Sequence, residues 1–120
     1  MPIEVRVRRV YEEVNAEDGT RVLVDRIWPR GLAKSAAHLD EWAKEVAPST
    51  PLRRWFKHDP AKFAEFRRRY LDELNAPTAQ VAVEHLRALA THGPLTLLTA
   101  TRDVEHSQAV VLAELLERHQ

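Results

Sequence analysis

The chain contains no cysteine, no long apolar run, no excess of charge of either sign, and no internal repeat or low-complexity segment. Without thiols there is no disulfide, no thiolate metal site and no cysteine nucleophile. No stretch approaches the roughly 18 apolar residues of a membrane-spanning helix. Met1-Pro2-Ile3-Glu4 carries no apolar signal region. The expectation is a cytoplasmic protein with no membrane partner. The 18 Lys and Arg residues balance 18 Asp and Glu, whereas duplex binding needs a clearly basic face. Nucleic acid is therefore not an expected partner, although Arg53, Arg54, Lys57, Arg67 and Arg68 could line one basic surface. The balance hides an asymmetry: residues 1–70 carry 15 basic and 11 acidic groups, and residues 71–120 carry three and seven. That pattern fits a local anion site.

What is present is ordinary globular material. At 120 residues, 44% hydrophobic and 30% charged, the chain is long enough for one domain with a real core. Its organising stretch is Arg21-Val22-Leu23-Val24-Asp25-Arg26-Ile27-Trp28-Pro29-Arg30-Gly31. Val22, Leu23, Val24 and Ile27 read as a strand buried on both faces. Pro29 cannot donate to a sheet ladder, so the strand should stop at about Trp28. Asp25, Arg26, Trp28 and Arg30 are thus set down where strand gives way to loop, the place where open α/β sheets bind ligands.

Upstream, Ile3, Val5 and Val7 alternate with Glu4, Arg6 and Arg8 as a half-buried strand. The polar connection Tyr11–Thr20 is short for a parallel crossover, so spacing alone favours a hairpin into the Arg21 strand. Residues 32–47 fit either a helix or a short strand through Trp42–Val46. Thr50 as N-cap with Pro51 at the first helical position starts a short helix, Leu52–Lys57. Asp59 and Pro60 repeat the device for a helix striped by Phe63, Phe66, Tyr70, Leu71 and Leu74. Asn75-Ala76-Pro77-Thr78 opens another helix, running to about Thr91 and burying Ala82, Leu86, Leu89 and Ala90. His92-Gly93-Pro94 stops it. Leu95–Thr99 is a second buried strand, and a final apolar helix spans about His106 to Arg118.

The junction Thr99-Ala100-Thr101-Arg102-Asp103-Val104-Glu105-His106 is strand, polar loop and helix start. Free N–H groups and the helix dipole favour an anion there, and Arg102 adds a fork suited to phosphate or carboxylate. The structural readings stand beside these: Asp103 as a helix N-cap, Asp25-Arg26 as an ion pair closing a strand, the tryptophans as core, and Arg67-Arg68-Arg69 as exposed charge.

With Leu-Val-Asp-Arg-Ile-Trp-Pro-Arg-Gly at 23–31, Ala-Pro-Ser-Thr at 47–50, Leu-Arg-Arg-Trp-Phe-Lys-His-Asp-Pro at 52–60, Phe-Arg-Arg-Arg-Tyr at 66–70 and Leu-Thr-Leu-Leu-Thr-Ala-Thr-Arg-Asp at 95–103, the chain resembles the YeaO-like family. This is a small bacterial branch of the domain-of-unknown-function family numbered 488. The resemblance covers nearly the whole chain. It implies a single α/β domain with a small, mainly parallel sheet of about four strands flanked by helices. It thus implies a parallel connection instead of the hairpin, and a strand at Trp42–Val46. The polar set it carries over falls on Asp25, Arg26, Trp28, Arg30, Gly31, Lys44, Ser49, His58, Asp59, Arg102, Asp103 and His106. It implies no activity. Where relatives usually have Asn-His after the His106 position, this chain has Ser107-Gln108.

Two functional readings follow. In the first, a small phosphate- or carboxylate-bearing ligand is held by Arg26, Arg30 and Arg102, with Trp28, Lys44, Asp103 and His106 around it and Asp25 or His58 as general acid or base. In the second, the same cleft is a non-catalytic ligand sensor or protein-interaction module. Ser49 and Ser107 sit in capping contexts, not in nucleophile motifs. Asp25, His58, Asp59 and His106 lack a metal-ligand spacing, so neither metal nor cofactor is expected. Nothing in the sequence specifies an oligomeric state.

Overall fold

The computed structural model describes residues 3–118. Its first strand is β1 (Val5–Arg9), followed by a 3-10 turn at Ala16–Asp18 and β2 (Thr20–Leu23). A short helix α1 (Lys34–Ala37) leads to β3 (Glu41–Trp42) and a 3-10 turn at Lys44–Val46. Next come the helices α2 (Thr50–Phe56), α3 (Phe63–Glu73) and α4 (Pro77–His92). The strand β4 (Leu95–Thr99), a 3-10 turn at Val104–His106 and helix α5 (Gln108–Arg118) complete the fold. The four strands form one sheet in the order β1-β4-β2-β3, and every neighbouring pair is parallel.

The hairpin suggested by spacing is therefore absent. β1 and β2 are not neighbours, because β4 lies between them. Leu95 pairs with Val5 on one side and Thr20 on the other, and all five β4 residues are buried. Gly19 makes the close approach of β2 to β4 feasible. Its φ is +64°, and a Cβ there would stand 2.1 Å from the Pro94 carbonyl oxygen, which accepts the Thr20 N–H at 3.0 Å.

Strand alternation sends Val22, Val24, Leu95 and Leu97 to the main core, where α2 to α5 cover the sheet. Stacked Phe56 and Phe66, 4.2 Å between ring centres, and fully buried Tyr70, Leu86 and Leu112 fill that layer. Among the described residues the opposite face has no comparable helical layer. Val10, Leu23 and Leu98 form a small second cluster there, roofed by Trp28, Leu32 and Leu39 from the β2–β3 connection and by Trp42 of β3.

Several local expectations shift. β2 ends at Leu23, not near Trp28: Val24 still donates to Leu98 O at 3.0 Å, but Ile27 is 60% exposed. The strand expected through Trp42–Val46 is only two residues long and then tightens into a 3-10 turn. Ser49, not Thr50, caps α2, its Oγ accepting the Leu52 N–H at 3.2 Å. The final helix begins at Gln108 because the Val104–His106 turn stands apart from it. In α4, Ala79, Val83, Leu86 and Ala90 are buried, while Ala82 and Leu89 are only partly so.

Candidate functional site

Since all strands run the same way, one sheet edge collects their carboxyl ends, where Val10, Val24, Ala43 and Ala100 leave the sheet. A cavity of about 350 Å³ opens at this edge. The loop after β2 supplies one wall, with Asp25, Arg26, Trp28 and Arg30; α2 supplies Arg53 and Phe56; the chain after β4 supplies Ala100, Thr101 and Gln108.

Asp25 is the junction between the two strand ends. Its Oδ1 accepts from Thr99 Oγ1 at 2.7 Å and from Gln108 Nε2 at 2.6 Å, and its Oδ2 accepts from the Ala100 N–H at 2.8 Å. Burial pushes the Asp25 carboxyl above the usual carboxylate range; the three donors and the Arg53 charge oppose this without cancelling it. Its own carbonyl accepts Trp42 Nε1–H at 2.7 Å.

The loop that follows is braced at three points. Arg26 donates through Nε to Pro48 O at 3.1 Å and through Nη2 to Ala47 O at 3.0 Å. Trp28 donates to Leu32 O at 2.7 Å and meets Trp42 edge-on at 5.3 Å. The Tyr11 hydroxyl donates to Arg30 O at 2.8 Å. Behind the loop, α3 clamps the Val46–Ser49 segment. Tyr70 OH donates to Val46 O, and the Glu73 carboxylate accepts from the Ser49 hydroxyl and, at 2.8 Å, from its N–H. Desolvation and the nearby carboxylates of Glu73 and Asp25 keep the buried Tyr70 phenol neutral.

Three arginines and one carboxylate, Asp25, thus line the cavity. Arg26 spends its hydrogen bonds on carbonyls. Arg30 and Arg53 have no side-chain hydrogen-bond partner among the described residues. The apolar walls are Trp28, Pro29, Phe56 and Phe66. His58 also lines the cavity, exposed and held with Lys57 in left-handed backbone, φ +56° and +49°.

Of the residues singled out from the sequence, Asp25, Arg26, Trp28, Arg30 and His58 come together. Lys44, Arg102, Asp103 and His106 do not line the cavity. Lys44 is drawn onto the Trp42 ring, its Nζ 4.0 Å from the ring centre, and Arg102 points to solvent. Asp103 makes no capping hydrogen bond. Its carboxylate instead lies 2.8 Å from His106 Nδ1, while the His106 ring packs edge-on against Phe63. Arg53 and Gln108 were not legible as site residues. The available signal for Arg53 was its position on the same face of α2 as buried Phe56, three residues on. Ser107 is buried, its hydroxyl donating to Val104 O at 2.7 Å. No group of three or more His, Asp or Glu side chains among the described residues is arranged to hold a metal ion.

No helix among the described residues is long and apolar enough to cross a membrane. No solved structure matches the chain. An uncharacterized protein of Mycobacterium bovis, Mb3100c, is 49% identical over 112 residues, which is 93% of this chain and 92% of its own length. The uncharacterized protein YeaO of Escherichia coli K12 is 42% identical over 116 residues, 95% of this chain and 97% of its own length. Residues 4–120 match the family model described as "Inactive DUF488-N3 subclade". The chain therefore belongs to the YeaO-like branch of the DUF488 family, within that subclade.

Proposed function

We propose that the protein is a non-catalytic receptor for a small anion bearing a phosphate or carboxylate, bound at the carboxyl edge of the sheet. The observation that carries this reading is the pair of guanidinium groups, Arg30 and Arg53, that make no side-chain hydrogen bond among the described residues and line a cavity with apolar walls. Such groups bind carboxylate and phosphate with charge-assisted hydrogen bonds, and the volume suits a small molecule. Arg26, locked onto two carbonyls, adds charge without contact.

The absence of turnover in this reading is supported by the Asp25 carboxylate, which already accepts three hydrogen bonds, and by Ser107, which is committed to Val104. The word "Inactive" in the description of the subclade supports it as well. A second reading, acid–base catalysis through Asp25, is favoured by the burial that strengthens that carboxyl's hold on its proton.

Calorimetric titration with inorganic phosphate and with acetate tests the reading. The wild type should bind at least one, and the double variant Arg30→Ala, Arg53→Ala should lose about 10-fold or more in affinity. Equal affinity in the two proteins rejects the site. A bound anion recovered unaltered after long incubation supports the receptor, and a transformed one supports the enzyme.

A further inference from the structure

The floor of the cavity has a polarity opposite to that of its rim. Asp25 accepts from the Ala100 N–H, which can only donate, and from the amide of Gln108. The Gln108 side chain turns its NH₂ group to Asp25 Oδ1, 2.6 Å away. Its Nε2 also lies 3.5 Å from the Thr99 hydroxyl oxygen. With the NH₂ group engaged at both contacts, the carbonyl oxygen of the amide is left over. That oxygen has no hydrogen-bond partner among the described residues, and Gln108 lines the cavity. Asp25 itself retains unused acceptor capacity at Oδ2, which takes one donor while Oδ1 takes two. The rim offers donors, at Arg30 and Arg53; the floor offers acceptors.

We infer that the cavity selects, among small anions, those that also carry a hydroxyl or ammonium group, and that Gln108 Oε1 is the acceptor that reads it. The anionic head faces the arginines, and the donor group reaches the floor. An anion without such a group leaves the amide oxygen unpaired as it displaces water, which is how a polar site rejects an analogue lacking one hydrogen-bonding group. This inference rests on the anion-binding reading above and narrows its ligand class.

The test compares propionate, lactate and alanine, which share a carboxylate and differ by hydrogen, hydroxyl or ammonium at one carbon. Their dissociation constants are measured by calorimetry on the full chain. Lactate, alanine or both should bind the wild type about 10-fold more tightly than propionate, as expected for one hydrogen bond to a partly open site. Which of the two is preferred identifies the donor as hydroxyl or ammonium. In Gln108→Lys the side chain still donates to Asp25 but offers no acceptor, so the ratio to propionate should collapse to within about 2-fold even if all anions bind more tightly. Propionate binding as well as lactate and alanine in the wild type overturns the inference and leaves the anion site standing. Persistence of the preference in Gln108→Lys overturns the role of Gln108. If these three and inorganic phosphate all fail to bind the wild type, the anion reading itself falls. The wild-type comparison stands even if the variant does not fold.

Discussion

Asp18 and Asp25 both leave solvent, with opposite consequences for their protons. Burial opposes ionisation of Asp18 most strongly, but the Asn15 N–H, Arg8 and Arg21 together prevail and hold its carboxyl below the usual range. Arg8 forks onto both its oxygens at 2.9 Å, and Arg21 pairs with Oδ2. Its contribution to stability is therefore present above the ordinary aspartate value, about pH 4, and is lost as pH falls through the lowered folded value. Asp18→Asn leaves the buried Arg21 guanidinium without its anion and should cost about 3–5 kcal/mol at pH 7 in urea unfolding. The wild-type advantage should shrink in acid; a cost that stays constant from pH 7 down to pH 2 contradicts the assignment. Asp25 runs the other way. Its folded pKa is raised, so its contribution is fullest below pH ~4 and is lost as pH rises through the folded value. The stability difference between wild type and Asp25→Asn should fall across that window and then level off, whatever its absolute size. At this scale the sequence exposed half the site. Asp25, Trp28 and Arg30 stand in the loop that follows an apolar strand and carries a proline, a visible place for chemistry. Arg53 and Gln108 lie on helices; spacing puts Arg53 on the Phe56 face of α2, but packing is what turns both toward the same hollow as Asp25.

At the scale of elements, β2, β4 and the long helices follow from apolar patterning, while the order of strands does not. The hairpin expectation assumed that a short connection cannot return to start a parallel strand. Roughly ten residues between β1 and β2 reach about 33 Å when extended, enough to run back along the sheet and pass the width of β4 with only a 3-10 turn. Asp18 secures that turn to the sheet, its carbonyl accepting Thr96 Oγ1–H at 2.7 Å. A local ion network of Asp18 with Arg8 and Arg21, tied to β4 through Thr96 and invisible in hydrophobic periodicity, thus takes the place expected of a crossover helix. The two left-handed glycines give a graded test of this join. Gly31→Ala, at φ +76° with nothing within 4 Å of a new Cβ, should cost only the backbone strain of about 1–2 kcal/mol. Gly19→Ala adds a collision with the Pro94 carbonyl and should cost more, about 2–4 kcal/mol. Equal losses on urea unfolding would mean that the β2–β4 join gives way freely.

For the molecule as a whole, the radius of gyration of 13.5 Å equals that of a compact domain of this length, about 13.6 Å, so any ligand at the sheet edge should stabilise the fold as a unit. At 100 times its dissociation constant a ligand adds about 2.7 kcal/mol, which in a domain of this size raises Tm by about 10 °C. The same measurement separates site from medium. Phosphate and sulfate stabilise proteins generally by exclusion from their surfaces, and that part of the shift needs no arginine. Arg30→Ala with Arg53→Ala removes two charges that make no side-chain hydrogen bond within the described structure, so the unliganded variant should unfold within about 1 kcal/mol of wild type. Titrated with phosphate, the wild type should then rise several degrees further than the variant, and added sodium chloride should narrow the gap by screening the exposed part of the attraction. Coincident melting curves at every phosphate concentration would show that the whole shift comes from the solvent and that the arginines hold nothing.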